Sequence, residues 1–401
     1  MSEEALDDFR AELESWFEAN CPESLRPGNE STEADRDAWK QAYIDRGFTT
    51  PTWPREYGGG GLSKLEDRIL QQVKAQFTTW SPIPSFFGTT MLGPVLLEYG
   101  NEEQKKEHLS KIASCEIQWC QGYSEPGAGS DLASLQTRAV DAGDHYVING
   151  SKIWTTQAHV ADWIFCLTRT DPDVPKHDGI SFILFDLRQP GVTISPIQLI
   201  SGASEFCQVF FEDVRAEKRN LVGQLNGGWT IAKRLLQHER SMLSGGMGTG
   251  GVPAGPRKKK KAPPPAPKSF LAEALRKHLG EDGDGCLGDA TLRDRIAQWE
   301  LDSLCFGLSL QRSGQQAKAG QGPGPATSMF KLYASEMNKR RNEISMSARG
   351  IDGLGWEGEG FTPADIVETR GWLRSKGNSI EGGTSEVQLN VIAKRVLGLP
   401  D

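Results

Sequence analysis

The chain lacks any long apolar run: none of its 401 residues fall in a stretch approaching the roughly 18 apolar side chains of a membrane helix. Its opening, Met1 to Phe9, is acidic and has no apolar segment, so neither a signal peptide nor an anchor is expected. Basic residues are not in excess. Lys plus Arg number 45 against 53 Asp plus Glu, a formal charge of −8, which excludes nucleic-acid binding through the overall field and leaves only a local basic patch. Seven cysteines, Cys21, Cys115, Cys120, Cys166, Cys207, Cys286 and Cys305, contain no C-x-x-C pair. They read as the reduced thiols of a cytoplasmic protein. The six histidines include no H-E-x-x-H and none spaced with Cys or carboxylates as ligands are, so no metal is expected.

What is present is a chain long enough for two or three domains. Up to residue 120 the apolar residues recur at helical spacing, as in Phe9, Leu13, Trp16 and Phe17, and again in Ile69, Val73 and Phe77. A Pro- and Gly-rich stretch, Thr49 to Gly61, reads as a connection between two helices. From 121 to 225 short runs rich in Val, Ile, Phe, Trp and Thr alternate with turn residues, which predicts about six strands. Asn149-Gly150 lies between His145–Ile148 and Lys152–Thr155, where a two-residue hairpin turn is expected. From 226 to 401 the spacing is helical again, interrupted at 251–268 by a segment holding Arg257-Lys258-Lys259-Lys260-Lys261 and a proline run. That segment reads as a solvated loop, with a localisation signal or an anion site as the alternatives. The expected class is α+β: an N-terminal helical domain, a β-barrel-like middle domain and a C-terminal helical bundle.

Three features bear on chemistry. Gly246-Met247-Gly248-Thr249-Gly250-Gly251 has the letters of a dinucleotide fingerprint, but it ends a helix and enters a proline-rich segment, so the required strand-to-helix context is missing. Gly382-Gly383-Thr384-Ser385-Glu386-Val387-Gln388 leads into a helical run, with Ser385 and Gln388 fitting a capping box. Such a start offers free N–H groups to an anion such as a pyrophosphate, or is simply a cap. In the predicted helix 229–246, Ala232, Leu236, Glu239, Leu243 and Gly246 follow one another at spacings of four and three, which places Glu239 in the apolar stripe. A carboxyl there is raised toward the pKa of a general base, unless neighbouring Arg240 pairs with it as a structural partner.

Tyr123-Ser124-Glu125-Pro126-Gly127-Ala128-Gly129-Ser130-Asp131 resembles the T-E-P-x-A-G-S-D signature of the acyl-CoA dehydrogenases, with Ser124 in place of Thr. Ile148 to Thr156 is similar to that family's I-N-G-x-K-x-W-I-T segment, and Gly383 to Asn390, followed by Arg395 to Pro400, to its closing motif. The resemblance implies FAD as cofactor and an acyl-CoA as substrate. It implies α,β-dehydrogenation, with proton loss at Cα and hydride transfer from Cβ to flavin N5, and an electron-transfer flavoprotein as the next acceptor. By position it implies that Tyr123 and Ser124 meet the flavin's pyrimidine edge and that Trp154 and Thr156 cover the flavin near N5. Ser130 is assigned to the CoA arm or the FAD phosphates, and Gly382, Gly383, Thr384 and Glu386 to the phosphate and ribose side.

The sequence departs from the family pattern at three places. Many members carry the catalytic Glu immediately before Gly-Thr of the closing motif; that position is Gly382 here, with Glu381 one residue earlier. Other members carry it on the helix after the β domain in an E-R pair, which Glu239-Arg240 resembles. Glu239 is therefore the expected base, Glu381 the runner-up, and Arg240 a substrate contact. The R-x-x-F-G-x-P segment is missing, and Ser347 to Gly355 only loosely matches the adenine-side motif. A homo-oligomer, dimer or tetramer, or a heterotetramer is expected. The alternatives are a non-catalytic partner subunit in a heteromeric dehydrogenase, and a flavin oxidase or monooxygenase on the same scaffold.

Overall fold

The computed structural model describes residues 3–78, 80, 82, 85–236, 269–318 and 327–400. Its backbone divides into two compact units, one of residues 1–197 and 205–235, the other of residues 198–204 and 236–401.

The first unit opens with α1 (Glu3–Asn20), α2 (Glu33–Asp45), α3 (Lys64–Phe77) and α4 (Gly93–Tyr99). Thr32 Oγ1 accepts the Asp35 amide to start α2, and Ser63 with Glu66 forms a full capping box at α3. The helical spacing of Leu13, Phe17, Trp39, Tyr43, Leu70 and Val73 gathers them into one buried cluster. The Thr49–Gly61 stretch links α2 to α3 and buries Trp53.

Eight strands follow: β1 (Trp119–Gly122), β2 (Arg138–Asp141), β3 (His145–Thr156), β4 (Trp163–Arg169), β5 (Ile180–Asp186), β6 (Val192–Ile197), β7 (Phe206–Glu217) and β8 (Leu221–Val222). They form one sheet in the order β6-β7-β3-β2-β4-β5-β8, with β1 parallel to β4. The strands absent from the expected set, β1, β2 and β8, have four, four and two residues. Such lengths are too short to show an alternating pattern.

The expected hairpin at Asn149-Gly150 is not formed; β3 runs through it unbroken for 12 residues. Both halves of β3 pair with the equally long β7, so the chain has no reason to reverse. The irregularity sits instead on β7, where the register steps from Ile148↔Val214 to Gly150↔Phe211 and Asp213 takes φ +51°. Asn149 serves that bulge: its Nδ2 donates to Asp213 Oδ1 (3.0 Å) and its Oδ1 accepts the Asp213 amide (2.9 Å). Gly150 is required by close packing, since a Cβ there would lie 2.7 Å from Thr137 Cα.

Residues 228–236 are helical, which covers the start of the predicted 229–246 helix. Its remainder, with Glu239, Arg240 and the 246–251 glycines, lies outside the described residues, as does the 251–268 loop. The second unit contains α5 (Phe270–Leu279), α6 (Ala290–Lys318), α7 (Thr327–Arg349), α8 (Pro363–Ser375) and α9 (Ser385–Val391). Leu271, Leu275, Leu292, Ile296 and Ile344 form one buried cluster there, and Phe306, Phe330 and Met337 another. The expected α+β architecture, helical at both ends with a sheet between, is the one observed.

Candidate functional site

In the first unit, two of the sequence motifs meet around a buried lysine. Lys152 has no exposed surface; its Nζ donates to Glu125 Oε1 (2.8 Å) and to the Tyr123 carbonyl (3.0 Å). Glu125 uses both oxygens, Oε1 also accepting the Thr137 amide (2.9 Å) and Oε2 the Gln136 amide (2.6 Å). Burial pushes the Glu125 carboxyl up, but the charge and hydrogen bond of Lys152, with the bonds from Thr137 and Gln136, outweigh it. The group is held below its ordinary value and stays ionised. One residue further along each segment, the Ile153 amide donates to the Ser124 carbonyl (2.9 Å). Tyr123 is itself buried, its ring edge-on to Phe165 and Phe182.

Past this junction β3 carries one residue more than β7, the register passing from Lys152↔Val209 to Thr155↔Cys207. Trp154 sits in that bulge at φ +60°, a region that bulky L-residues rarely adopt. The bulge turns its indole outward: 54% of the residue is exposed, and its ring meets Phe206 edge-on at 6.2 Å. Ser124 and Thr156 are half-buried. Ser130 is exposed on the loop between β1 and β2, beside Asp131, whose carboxylate pairs with Lys176 Nζ at 2.7 Å.

The second unit holds the closing-motif residues. Gly382 and Gly383 take φ +67° and +92° in succession. Gln388 Nε2 donates to both their carbonyls (3.2 and 3.4 Å), and the buried Lys331 donates to the Gly383 carbonyl (2.7 Å) and the Asn378 carbonyl (3.1 Å). The φ of +92° at Gly383 is one that L side chains rarely adopt, and a Cβ there would also lie 2.5 Å from Gln388 Nε2, so the position favours glycine. The helix start differs from expectation: the cap is Thr384, whose Oγ1 accepts the Val387 amide (3.2 Å), not Ser385 with Gln388. Gln388 is fully buried and turned back onto the glycine carbonyls, which leaves it unable to close a capping box. Glu386 is exposed, and its own backbone N–H and the Thr384 hydroxyl hold its carboxyl below the usual range. Glu381 is paired: Arg374 Nη2 stands 3.0 Å from its Oε2, and Asn378 Nδ2 donates to its Oε1 at 2.5 Å.

Sequence reasoning singled out Tyr123, Ser124, Trp154 and Thr156, and the structure brings the first two against β3, one to two residues before the bulge that presents Trp154. It missed the groups that hold them, Glu125 and Lys152, and the Lys331 behind the glycine pair. A signal was available in β3, where Tyr146, Ile148 and Lys152 share the inward face of one strand. A lysine at a core position implies a buried partner. Among the described residues no cluster of three or more His, Cys, Asp or Glu could hold a metal, and no helix is long and apolar enough to cross a membrane.

Residues 3–116, 120–214 and 279–397 match the family descriptions "Acyl-CoA dehydrogenase, N-terminal domain", "middle domain" and "C-terminal domain". The chain is 35% identical to acyl-CoA dehydrogenase IpdE1 of Mycolicibacterium smegmatis, over 98% of each chain. Among solved structures it is similar to the Tcur3481-Tcur3483 steroid ACAD, at 30% identity and TM-score 0.73 over 100% of this chain and 99% of that one. It is also similar to a chain of the ChsE4-ChsE5 complex from Mycobacterium tuberculosis, at 28% identity and TM-score 0.71 with the same coverage. The chain belongs to the acyl-CoA dehydrogenase family. Like its family it is an FAD-dependent oxidoreductase. The residues present fit that cofactor: an outward indole on a strained bulge beside two half-buried hydroxyls suits an aromatic ring system. A double-glycine loop with its carbonyls drawn inward by Lys331 and Gln388 suits close approach of a phosphate.

Proposed function

We propose that this chain catalyses α,β-dehydrogenation of an acyl-CoA thioester, with Glu239 as the base at Cα and an electron-transfer flavoprotein as the acceptor that reoxidises it. The observation that carries the reading is Trp154, held at φ +60° and exposed, in a strand tied by Lys152 to the Tyr123-Ser124 loop. Bound FAD supplies a two-electron acceptor for the hydrogen that leaves Cβ.

The chain's own residues do the rest. Trp154 covers one side of the ring system, while Ser124 and Thr156 offer hydroxyls to its polar edge and Tyr123 sets the path of the loop. Thr384 and the backbone of Gly382 and Gly383 meet the phosphate side, and the ionised Glu386 accepts from ribose hydroxyls. Ser130 and Arg240 are assigned to the CoA arm, which carries the negative charge that an arginine matches. A thioester Cα–H is weakly acidic, so the forming enolate oxygen needs a donor. The Glu381 amide is already used on the Gly377 carbonyl (3.1 Å), so that donor is assigned to the next amide, Gly382. Glu381 is read as a structural partner rather than the base, because Arg374 and Asn378 each hold one of its oxygens.

A bulky, ring-bearing acyl group is favoured, because a solved relative at 30% identity is described as a steroid ACAD. Assembly with a second, homologous chain is the accompanying reading, supported by the two-protein complexes among the relatives and by the missing R-x-x-F-G-x-P segment. Seven free thiols suit a reducing cytoplasm. The test is anaerobic flavin bleaching with short, long, branched and ring-bearing CoA esters. Bleaching by at least one ester, fastest with ring-bearing ones, is expected. A flavoprotein that no ester bleaches would overturn the reading in favour of a partner subunit, and rapid peroxide formation in air without another acceptor would favour an oxidase.

A further inference from the structure

The pair Glu125–Lys152 joins two segments that are 27 residues apart in sequence. Beyond the bond between the two side chains, each of its hydrogen bonds ends on backbone, and the one from Lys152 to the Tyr123 carbonyl leads to the proposed flavin contacts. Lys152 draws in the Tyr123 carbonyl; Ile153, the next residue, holds the Ser124 carbonyl; the residue after that is Trp154 at its bulge. Glu125 fixes the amides of Gln136 and Thr137 and so the entry to β2. Stability alone is a poor reason for such a pair. A buried ion pair seldom stabilises more than apolar residues of the same volume, because desolvation offsets the attraction. What apolar packing does not supply is a fixed direction at each of several carbonyls and amides.

We propose that Lys152 and Glu125 are positioning residues, which hold the Tyr123-Ser124 loop and the Trp154 bulge in the one arrangement that accepts the flavin. The inference rests on the reading that Ser124 and Trp154 meet the flavin. Neither charged group touches the cofactor; each acts through the backbone it pins.

The test is the full-length double variant Glu125→Gln/Lys152→Met, which removes both charges and leaves neither unpaired. Apoprotein is prepared from it and from wild type, and melting temperature, FAD dissociation constant by flavin fluorescence, and the visible spectrum of bound flavin are compared. The double variant is expected to melt within about 5 °C of wild type, yet to bind FAD at least about tenfold more weakly and with shifted visible bands. Wild-type affinity together with a wild-type spectrum overturns the proposal. Ser124→Ala and Trp154→Ala are measured in parallel. If they weaken FAD binding and the double variant does not, positioning alone has failed; if none of the three weakens it, the reading of the loop as a flavin contact has failed with it. Should the double variant not fold, Lys152→Met alone, in which Glu125 keeps the Gln136 and Thr137 amides, decides in the same way, weaker FAD binding supporting the proposal and an unchanged constant refuting it.

Discussion

Arg374 closes on Glu381, its Nη2 3.0 Å from Oε2, while Asn378 Nδ2 donates to the other oxygen at 2.5 Å. Each oxygen of this carboxylate thus already accepts from a neighbouring side chain, which ties it to its own loop. Glu239→Gln keeps the size of the side chain but removes the proposed base, so flavin reduction by substrate should slow at least about 10²-fold with FAD retained. Glu381→Gln should change that rate by less than about threefold, since Gln still accepts from Arg374. Stopped-flow bleaching of the two variants reads both; the reverse order would make Glu381 the base.

Trp154 carries two opposed energies in the absence of cofactor. A left-handed backbone costs a bulky residue roughly 1–2 kcal/mol, while its edge-on contact with Phe206 contributes about 0.5–1.5 kcal/mol. Trp154→Gly removes both, so the apoprotein should unfold within about 1 kcal/mol of wild type. FAD affinity should nonetheless fall about tenfold or more, by titration of the apoprotein. A variant that loses stability and keeps its affinity would show the indole to be structural.

Two glycines of the second unit should respond in opposite directions to the same substitution. Gly383→Ala places a Cβ 2.5 Å from Gln388 Nε2 at φ +92° and should destabilise by about 1–3 kcal/mol. Gly371→Ala, inside α8 with no heavy atom within 4 Å of the new Cβ, should stabilise by up to about 1 kcal/mol. Chemical denaturation of the two apoproteins checks the signs.

His108 is buried with its ring edge-on to Trp119 and Trp163. Burial pushes its pKa down, against a smaller opposing pull from Glu107. The unfolded chain therefore binds a proton below pH 6.5 that the folded protein resists. Stability contributed by the neutral ring is complete above pH 6.5 and is lost as pH falls from there toward the lower folded value, at no more than about 1.4 kcal/mol per pH unit. His108→Phe keeps an aromatic edge on both indoles and should flatten this slope. Melting temperatures between pH 5 and 8 measure it, and equal slopes in both proteins would refute the assignment.

The sequence by itself determined the division into helix, sheet and helix, because helical apolar spacing at both ends, and runs of β-branched and aromatic residues between turn residues in the middle, persist over segments long enough to read. It also determined which residues carry the motifs at Tyr123, Trp154 and Gly382, since their types are tied to chemistry and need no neighbours to be recognised. Tertiary structure decided what local rules mistook. Asn149-Gly150 has the letters of a turn, but a 12-residue β7 along both halves of β3 holds the chain straight, and the glycine answers to Thr137. Ser385 and Gln388 have the letters of a cap, but Gln388 is buried and claimed by the glycine carbonyls. The pairing of Glu125 with Lys152, and of Glu381 with Arg374, was settled in the same way. The physical reason is common to all four. Local rules see only neighbours in sequence, whereas strand pairing, close packing and hydrogen-bond partners are set by what the fold brings into contact.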